Sequence, residues 1–152
     1  MSLSYRVAGR SVVSSGAGAD AVGCALWNPH ATMDLTVDEV HFFLTTATVT
    51  NPGLVRTTTR GTATTTVTPD IDNHDERLLA PITGALLDLD YSADPTIAGP
   101  YLHRLNLPAV VGTGFMWVFA RGIRVPAGTG LALATPVAVL LQPGDVTYVW
   151  HE

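Results

Sequence analysis

Apolar side chains alternate with other residues along the last quarter of the chain, between Phe115 and Trp150. A period of two places such side chains on one face of a β-strand. The alternating positions form five runs: Phe115, Trp117 and Phe119; Ile123 and Val125; Leu131 and Leu133; Val137, Val139 and Leu141; Val146, Tyr148 and Trp150. Pro and Gly residues suited to turns separate the runs, as in Pro126–Gly130 and Gln142–Asp145. The pattern predicts an all-β, single-domain antiparallel β-sandwich that is jelly-roll-like.

The earlier part of the chain continues the strand pattern. Predicted strand segments are Ala21–Asn28, Met33–Thr50, Leu54–Thr68, Ala85–Tyr91 and Tyr101–Leu107. The apolar phase switches at Asp38–Glu39, which predicts a β-bulge there. The segment Leu54–Thr68 breaks at Arg60–Gly61 and is polar beyond it, so we predict an outer or edge hairpin of two strands. In total we expect roughly eight to ten strands and almost no helix.

The surface of this chain is short of charge. The 152 residues suffice for one domain with a real core, and they are 47% hydrophobic but only 14% charged. An ordinary soluble domain is roughly a quarter charged. Threonines between Thr45 and Thr68 cover part of the surface, and protein neighbours are the natural cover for the rest. The composition therefore favours a subunit of a larger assembly, with a threonine-covered monomer as the alternative.

The charge balance excludes some partners. The net charge is −5, and all eight basic residues are arginine. A nucleic-acid-binding protein needs a basic stripe, so we predict no nucleic-acid partner. The N-terminus does not have the pattern of a signal peptide, and the apolar runs are too short to cross a bilayer as a helix, so we predict no membrane partner and assembly in a cytoplasm.

The first twenty residues differ in composition from the rest. Tyr5–Val7 and Ser11–Val13 could each form a short strand, but Gly16, Gly18 and several Ser and Ala residues favour a flexible N-terminal arm over residues 1–20, followed by a β-sandwich domain over residues 21–152. In an assembly such an arm orders against a neighbouring subunit.

Two groups of residues are candidate metal ligands. One is an acidic loop that comprises Asp70, Asp72, Asn73, Asp75 and Glu76. Its oxygens suit calcium, but it lacks the glycine and the final glutamate of the helix–loop–helix calcium spacing, so a solvated loop with one helical turn over residues 75–79 is the stronger interpretation. The other group is His41 and His103, which lie in predicted strands and can approach one another in the fold; ordinary histidines are again the stronger interpretation. We therefore predict no metal or cofactor.

No motif indicates catalysis. The chain has no G-x-S-x-G sequence, and Gly16–Gly18 lacks the Gly-Lys and the helix of a phosphate-binding loop. Cys24, the one cysteine, stands in an apolar run and is predicted to be buried. The aromatic residues of the last quarter suit either a core or a carbohydrate platform, and their alternate spacing favours the core. We predict no catalytic residue and no enzyme activity.

The chain end RGIRVPAGTGLALATP…GDVTYVWHE, with the FMWVF strand before it, resembles the C-terminal part of small structural proteins of tailed bacteriophages. The similarity covers roughly the last third of the chain; the remainder is similar only in being rich in threonine and poor in charge. The resemblance implies a non-enzymatic virion component, most simply a jelly-roll decoration or cement protein of the phage head. It also implies that the partners are the major capsid protein or other virion proteins and further copies of the chain, commonly as a homotrimer.

Other functions remain open from the sequence. Within the virion, a tail, neck or fibre subunit has the same composition. A carbohydrate-binding β-sandwich module would use Trp27 or Tyr101 with the acidic loop and calcium. An enzyme of cupin-like fold would need a cluster of His and carboxylate ligands, whose usual spacing is absent.

Overall fold

A computed structural model describes residues 3–13, 15–16, 19–69, 80–136 and 140–152. Every regular element in this part of the chain is a β-strand. The strands are β1 (Ser4–Arg10), β2 (Val22–Trp27), β3 (Leu35–Leu44), β4 (Gly53–Thr57), β5 (Thr62–Val67), β6 (Leu86–Ala93), β7 (Ile97–Arg104), β8 (Gly114–Val125), β9 (Gly130–Ala134) and β10 (Gly144–His151). None of the described segments is a helix with the length and apolarity needed to cross a membrane. The helical turn predicted over residues 75–79 lies outside the described residues.

The strands form two antiparallel sheets that pack face to face. Sheet A has the order β1-β10-β3-β8, and sheet B has the order β5-β6-β2-β9-β4-β7. Without β5 and β6, consecutive strands alternate between the sheets except at the single β4-to-β7 connection, which is the strand order of a jelly roll. The predicted single-domain antiparallel β-sandwich is confirmed.

The core lies between the two sheets. Its largest fully buried side chains include Trp150, Tyr148, Tyr5 and Phe42. On β10 the burial alternates strictly, with Val146, Tyr148 and Trp150 inside. Period-two alternation therefore predicted the inner face of this strand correctly, because β10 lies between two partners, β1 and β3, in sheet A.

The N-terminal segment belongs to the sandwich. Strand β1 pairs antiparallel with β10, and Tyr5 and Val7 are 2% and 4% exposed. The Tyr5 ring stacks on Trp150 with centroids 5.7 Å apart. The prediction of a flexible arm over residues 1–20, with the domain beginning at residue 21, is therefore wrong for Ser4–Arg10. The small residues after Arg10 dominated that interpretation, whereas Tyr5 and Val7 bury their side chains once β1 pairs with β10.

The predicted bulge at Asp38–Glu39 is confirmed. The pairing of β3 with β8 changes register between Val37 and Glu39, and the pairing of β10 changes at the same place. The bulge leaves Asp38 outside both ladders, and its Oδ2 lies 2.7 Å from Nδ1 of His151. On β8, Gly122 lies opposite the bulge. Its φ of +65° is a conformation that favours glycine.

Strands β4 and β5 do not form the hairpin that we predicted for Leu54–Thr68. Three strands separate them in sheet B: β4 lies between β9 and β7, while β5 is an edge strand that pairs with β6. The two segments that join these strands, residues 58–61 and 94–96, run over the outer face of sheet B and contact each other through the hydroxyls of Thr59 and Thr96, 3.1 Å apart. Two polar strands that follow one another in sequence show the same residue pattern whether they pair as a hairpin or lie apart in the sheet. The sequence therefore did not distinguish the two arrangements.

A second buried cluster lies on the outer face of sheet B. Ala25, Val55 and Ala132 face away from the main core, yet each is at most 2% exposed. Tyr91, Ile97 and Tyr101 pack against them. The outer face of sheet B is thus covered by the chain itself, whereas no such layer covers sheet A within the described residues.

Candidate interaction surface

The outer face of sheet A carries a strip of exposed apolar side chains. In the β3–β8 ladder, Met116 stands opposite His41, Val118 opposite Glu39, and Gly114 opposite Phe43. Phe43, Met116 and Val118 are 38%, 57% and 66% exposed. Together with the exposed Ala120 they form what we call the apolar strip. A contiguous set of this kind differs from scattered single hydrophobic residues and marks a contact site.

The strip follows from the sequence FMWVF in β8. Phe115, Trp117 and Phe119 pack against the core, so the alternate residues Met116 and Val118 must point outward. An outward position in a sheet that faces water is normally polar. Strand β8 is apolar on both faces, as is typical of a strand buried on both sides.

Strand β8 is also an edge strand, because among the strands of the described residues β3 is its one partner in sheet A. An exposed edge presents unpaired N–H and C=O groups, and proteins protect it with Lys, Pro or bulges. The stretch from Gly114 to Ala120 contains neither Lys nor Pro. The bulge at Gly122 and the neighbouring Arg121 limit the open edge to the first half of the strand. The apolar strip therefore borders an unprotected backbone edge.

Aromatic rings line the rim of the sandwich next to this edge. The ring of His103, on the edge strand β7 of sheet B, lies 5.3 Å from Trp117 and 5.4 Å from Phe119. The Phe115 and Trp117 rings are 3.9 Å apart. Phe115, Trp117 and Phe119 remain half-buried rather than fully buried because they stand where both sheets end. The predicted core role of these aromatics holds in part.

Several charged groups on the same face are paired with one another. His41 Nε2 lies 2.8 Å from Glu39, and His151 pairs with Asp38. At the far side of the face, Arg10 donates hydrogen bonds of 2.6 and 2.9 Å to Asp145. These hydrogen bonds lower the pKa of Asp145. Polar side chains that already have partners thus border the apolar strip.

The structure does not bring His41 and His103 together. His41 is on the outer face of sheet A, whereas His103 packs against aromatics of its inner face. No group of three or more His, Cys, Asp or Glu side chains that could hold a metal occurs among the described residues. The acidic loop from Asp70 to Glu76 lies outside them, so the calcium hypothesis remains a prediction.

The carbohydrate candidates on the outer surface have other contacts. The Tyr101 hydroxyl donates to Asp20 at 2.6 Å, and the guanidinium of Arg104 lies 4.6 Å from the centre of its ring. Burial raises the pKa of Tyr101. Trp27 is half-buried at the end of β2. One ring face of Tyr101 is therefore occupied by the protein itself.

Cys24 is buried as predicted, with 1% of its surface exposed. Burial raises the pKa of its thiol to about 12. Since the thiolate is the nucleophilic form, this thiol is inert at neutral pH.

Sequence reasoning missed the apolar strip. We singled out Phe115, Trp117 and Phe119 but not the side chains between them. The signal was present, because FMWVF is apolar in both phases, but alternation alone does not tell which face meets water. No family model, curated protein or solved structure matches the chain. The function proposed next rests on the residues and their arrangement.

Proposed function

We propose that this protein is a non-enzymatic structural subunit of a tailed-bacteriophage virion, most simply a decoration or cement protein. In this role it binds the major capsid protein on the head and stabilises neighbouring capsid subunits. The observation that carries the proposal is the apolar strip of Phe43, Met116 and Val118 beside the open edge of β8. The resemblance of the chain end to phage structural proteins indicates that the assembly is a virion.

The free energies of burial and association indicate an interface larger than the apolar strip. Burying a few hundred Å² of apolar surface contributes several kcal/mol at about 25 cal/mol per Å². Association costs about 4–15 kcal/mol in lost freedom, and a specific interface buries about 1,200–2,000 Å² in total. The strip therefore serves as the centre of a contact that also includes the β8 edge, whose free N–H and C=O groups pair with the neighbour.

The first partner in this proposal is a further copy of the chain. In a homotrimer each β8 edge and apolar strip contacts a different surface of the next copy, and the ring closes after three subunits. The virion protein then binds the assembled trimer. A rigid jelly roll suits this role because it holds its contact surfaces without a cofactor.

A charge placed in the strip tests the self-association. We expect light scattering of the purified protein to give about three times the chain mass of 16.0 kDa. Val118→Lys should lower the mass to that of a monomer, and the variant should still unfold in one cooperative thermal transition, because the substituted side chain is exposed in the single chain; its midpoint falls by the stabilisation that assembly gives the parent. Val12→Lys is the matched control, since Val12 is 67% exposed and Val118 66%. A monomeric parent protein, or a Val118→Lys variant with the parent's mass, would contradict the trimer.

Virion attachment is tested separately. We expect the tagged protein to co-sediment with purified virions of the phage that encodes it, and Val118→Lys to co-sediment less than Val12→Lys. Absence of the chain from those virions in mass spectrometry would contradict the virion role, whatever its oligomeric state. Binding to tails but not to heads would replace the decoration role by a tail or neck role.

A further inference from the structure

A cavity of about 250 Å³ opens at the end of the sandwich away from the apolar strip. Its walls come from the end of β4, the start of β7, and the end of β8 with the turn into β9. Arg56, Thr57, Ala98, Arg124 and Pro126 are among the lining residues. The volume has room for roughly eight water molecules, which is the scale of a single ring or a short acyl chain rather than of a drug-sized ligand.

Two guanidinium groups border this cavity. Arg56, on sheet B, donates a hydrogen bond to the main-chain carbonyl of Arg124 on sheet A, which holds the Arg56 side chain across the gap between the sheets. Arg124 forms an ion pair with Asp34. Asp34 also accepts a hydrogen bond from the Ala127 amide at 3.0 Å; this bond and the one from Arg124 lower its pKa.

Arg56 has donors to spare. A guanidinium carries five N–H donors, and the carbonyl of Arg124 occupies one of them. Among the described residues Arg56 has no carboxylate partner, and none of the residues lining the cavity is acidic. With Asp34 balancing Arg124, one net positive charge remains at the cavity.

We propose that this cavity binds a carboxylate carried on a small apolar body. The carboxylate accepts hydrogen bonds from Arg56, for which a planar two-oxygen acceptor is the matching shape. The apolar body rests on the lining residues Ala98 and Pro126. One net positive charge suits a monoanion better than a doubly charged phosphate. The carboxylate belongs either to a free small acid or to the C-terminus of a peptide.

The probe for this site is benzoate, with benzamide as its neutral analogue. Binding is followed by amide shifts in nuclear magnetic resonance spectra of the intact protein at neutral pH. We expect saturable benzoate binding with a Kd of about 1 mM, with the largest shifts at Thr57 and Ala98, and at least about tenfold weaker binding of benzamide. Equal binding of both probes, or no saturable binding of benzoate, would overturn the proposal.

Two substitutions, with one control, test separately the charge at the cavity and its free volume. Arg56→Gln should weaken benzoate binding about tenfold, while Arg121→Gln should bind as the parent does, because Arg121 is exposed on the same strand as Arg124 but does not line the cavity. Ala98→Leu should abolish binding by filling the cavity with no change of charge, and it serves as the test if Arg56→Gln fails to fold. Parent-like benzoate binding by Ala98→Leu would show that the site lies elsewhere.

A final arm distinguishes the two sources of the carboxylate. A short peptide that ends in a phenylalanine carboxylate is compared with its C-terminal amide. Binding of the acid but not of the amide identifies a peptide C-terminus as an accepted ligand, whereas binding of benzoate alone identifies a free small acid. Both results support the carboxylate site, and neither bears on self-association through the apolar strip.

Discussion

The Arg60 guanidinium donates two hydrogen bonds, of 2.7 and 2.8 Å, to the carboxylate of Asp88 over the outer face of sheet B. Arg60 comes from the segment that crosses this face, and Asp88 projects outward from β6. The Asp88 side chain is fully buried, while Arg60 keeps 41% of its side chain exposed. The pair attaches the crossing segment to the sheet and covers a carboxylate that would otherwise need water.

Replacing Asp88 should destabilise the protein far more than replacing Asp145. Asp88→Ala removes the acceptor of Arg60 and of the Thr66 hydroxyl, 2.6 Å away, and leaves a buried gap. We expect a loss of about 2–3 kcal/mol, less than for a fully buried pair because Arg60 regains water. Asp145→Ala is the control, since its pair with Arg10 has the same two-bond geometry but is exposed, and it should change stability little. Urea unfolding measures both; similar losses would contradict the role of burial.

Asp90 should prove necessary for ordering the chain after β1. Its carboxylate accepts hydrogen bonds from the Ser11 hydroxyl at 2.6 Å and from the amides of Val12 and Val13 at 3.2 and 3.3 Å. Asp90→Ala leaves these donors without their acceptor and should cost about 1–3 kcal/mol. Amide hydrogen exchange at Val12 and Val13 should accelerate. Ser11→Ala removes one of the three bonds and should accelerate exchange less, so equal effects of the two variants would argue against the carboxylate as the centre of this contact.

Gly122 and Gly128 should differ in their tolerance of alanine. Both have positive φ, +65° and +68°, so each substitution has a backbone cost of about 1–2 kcal/mol. A Cβ at Gly128 meets nothing within 4 Å, whereas a Cβ at Gly122 would lie 2.1 Å from Cγ2 of Thr36. Gly122→Ala should therefore lose a further 1–3 kcal/mol or so from overpacking at the β3–β8 bulge. Thermal unfolding of the two variants tests this, and equal midpoints would exclude the contact as a source of strain.

Stability should fall in alkaline solution through the buried thiol. Burial raises the pKa of Cys24 from an ordinary 9.0 to about 12. Between these values the unfolded chain releases a proton that the folded protein retains, so the free energy of unfolding decreases as pH rises, by up to about 1.4 kcal/mol per pH unit. Well below pH 9 the thiol is protonated in both states, so it has no effect on the slope.

Cys24→Ala isolates the contribution of the thiol. Its absolute stability is lower because of the cavity it leaves, so the slopes rather than the values are compared. Urea unfolding between about pH 8 and pH 10 should show a shallower decline in the variant than in the parent. Buried tyrosines such as Tyr148, whose pKa is also raised by burial, add to the decline at higher pH in both proteins. Identical slopes below pH 10 would mean that the thiol ionises freely.

Several features of the fold could be predicted from local pattern. The alternation of Val146, Tyr148 and Trp150 identified the inner face of β10, and the phase change at Asp38 identified the bulge. Both follow from the two-residue repeat of a strand, which depends on neighbouring residues alone. The burial of Cys24 followed in the same way from the apolar residues around it.

The candidate sites could be predicted only in part. FMWVF in β8 showed which side chains oppose the core, but the exposure of Met116 and Val118 depends on what covers sheet A. The cavity near Arg56 and Arg124 was not predicted at all, because the two residues are 68 positions apart and meet only when the two sheets pack.

The class of structure follows from local sequence: short antiparallel strands, their inner faces and the turns between them depend on side-chain alternation and on the backbone preferences of Pro and Gly. Only the packing of the whole chain places β1 in sheet A, puts three strands between β4 and β5, and leaves β8 at an edge. A backbone N–H or C=O pairs equally well with any strand of suitable register, so the choice of partner is made by the packing of the whole chain.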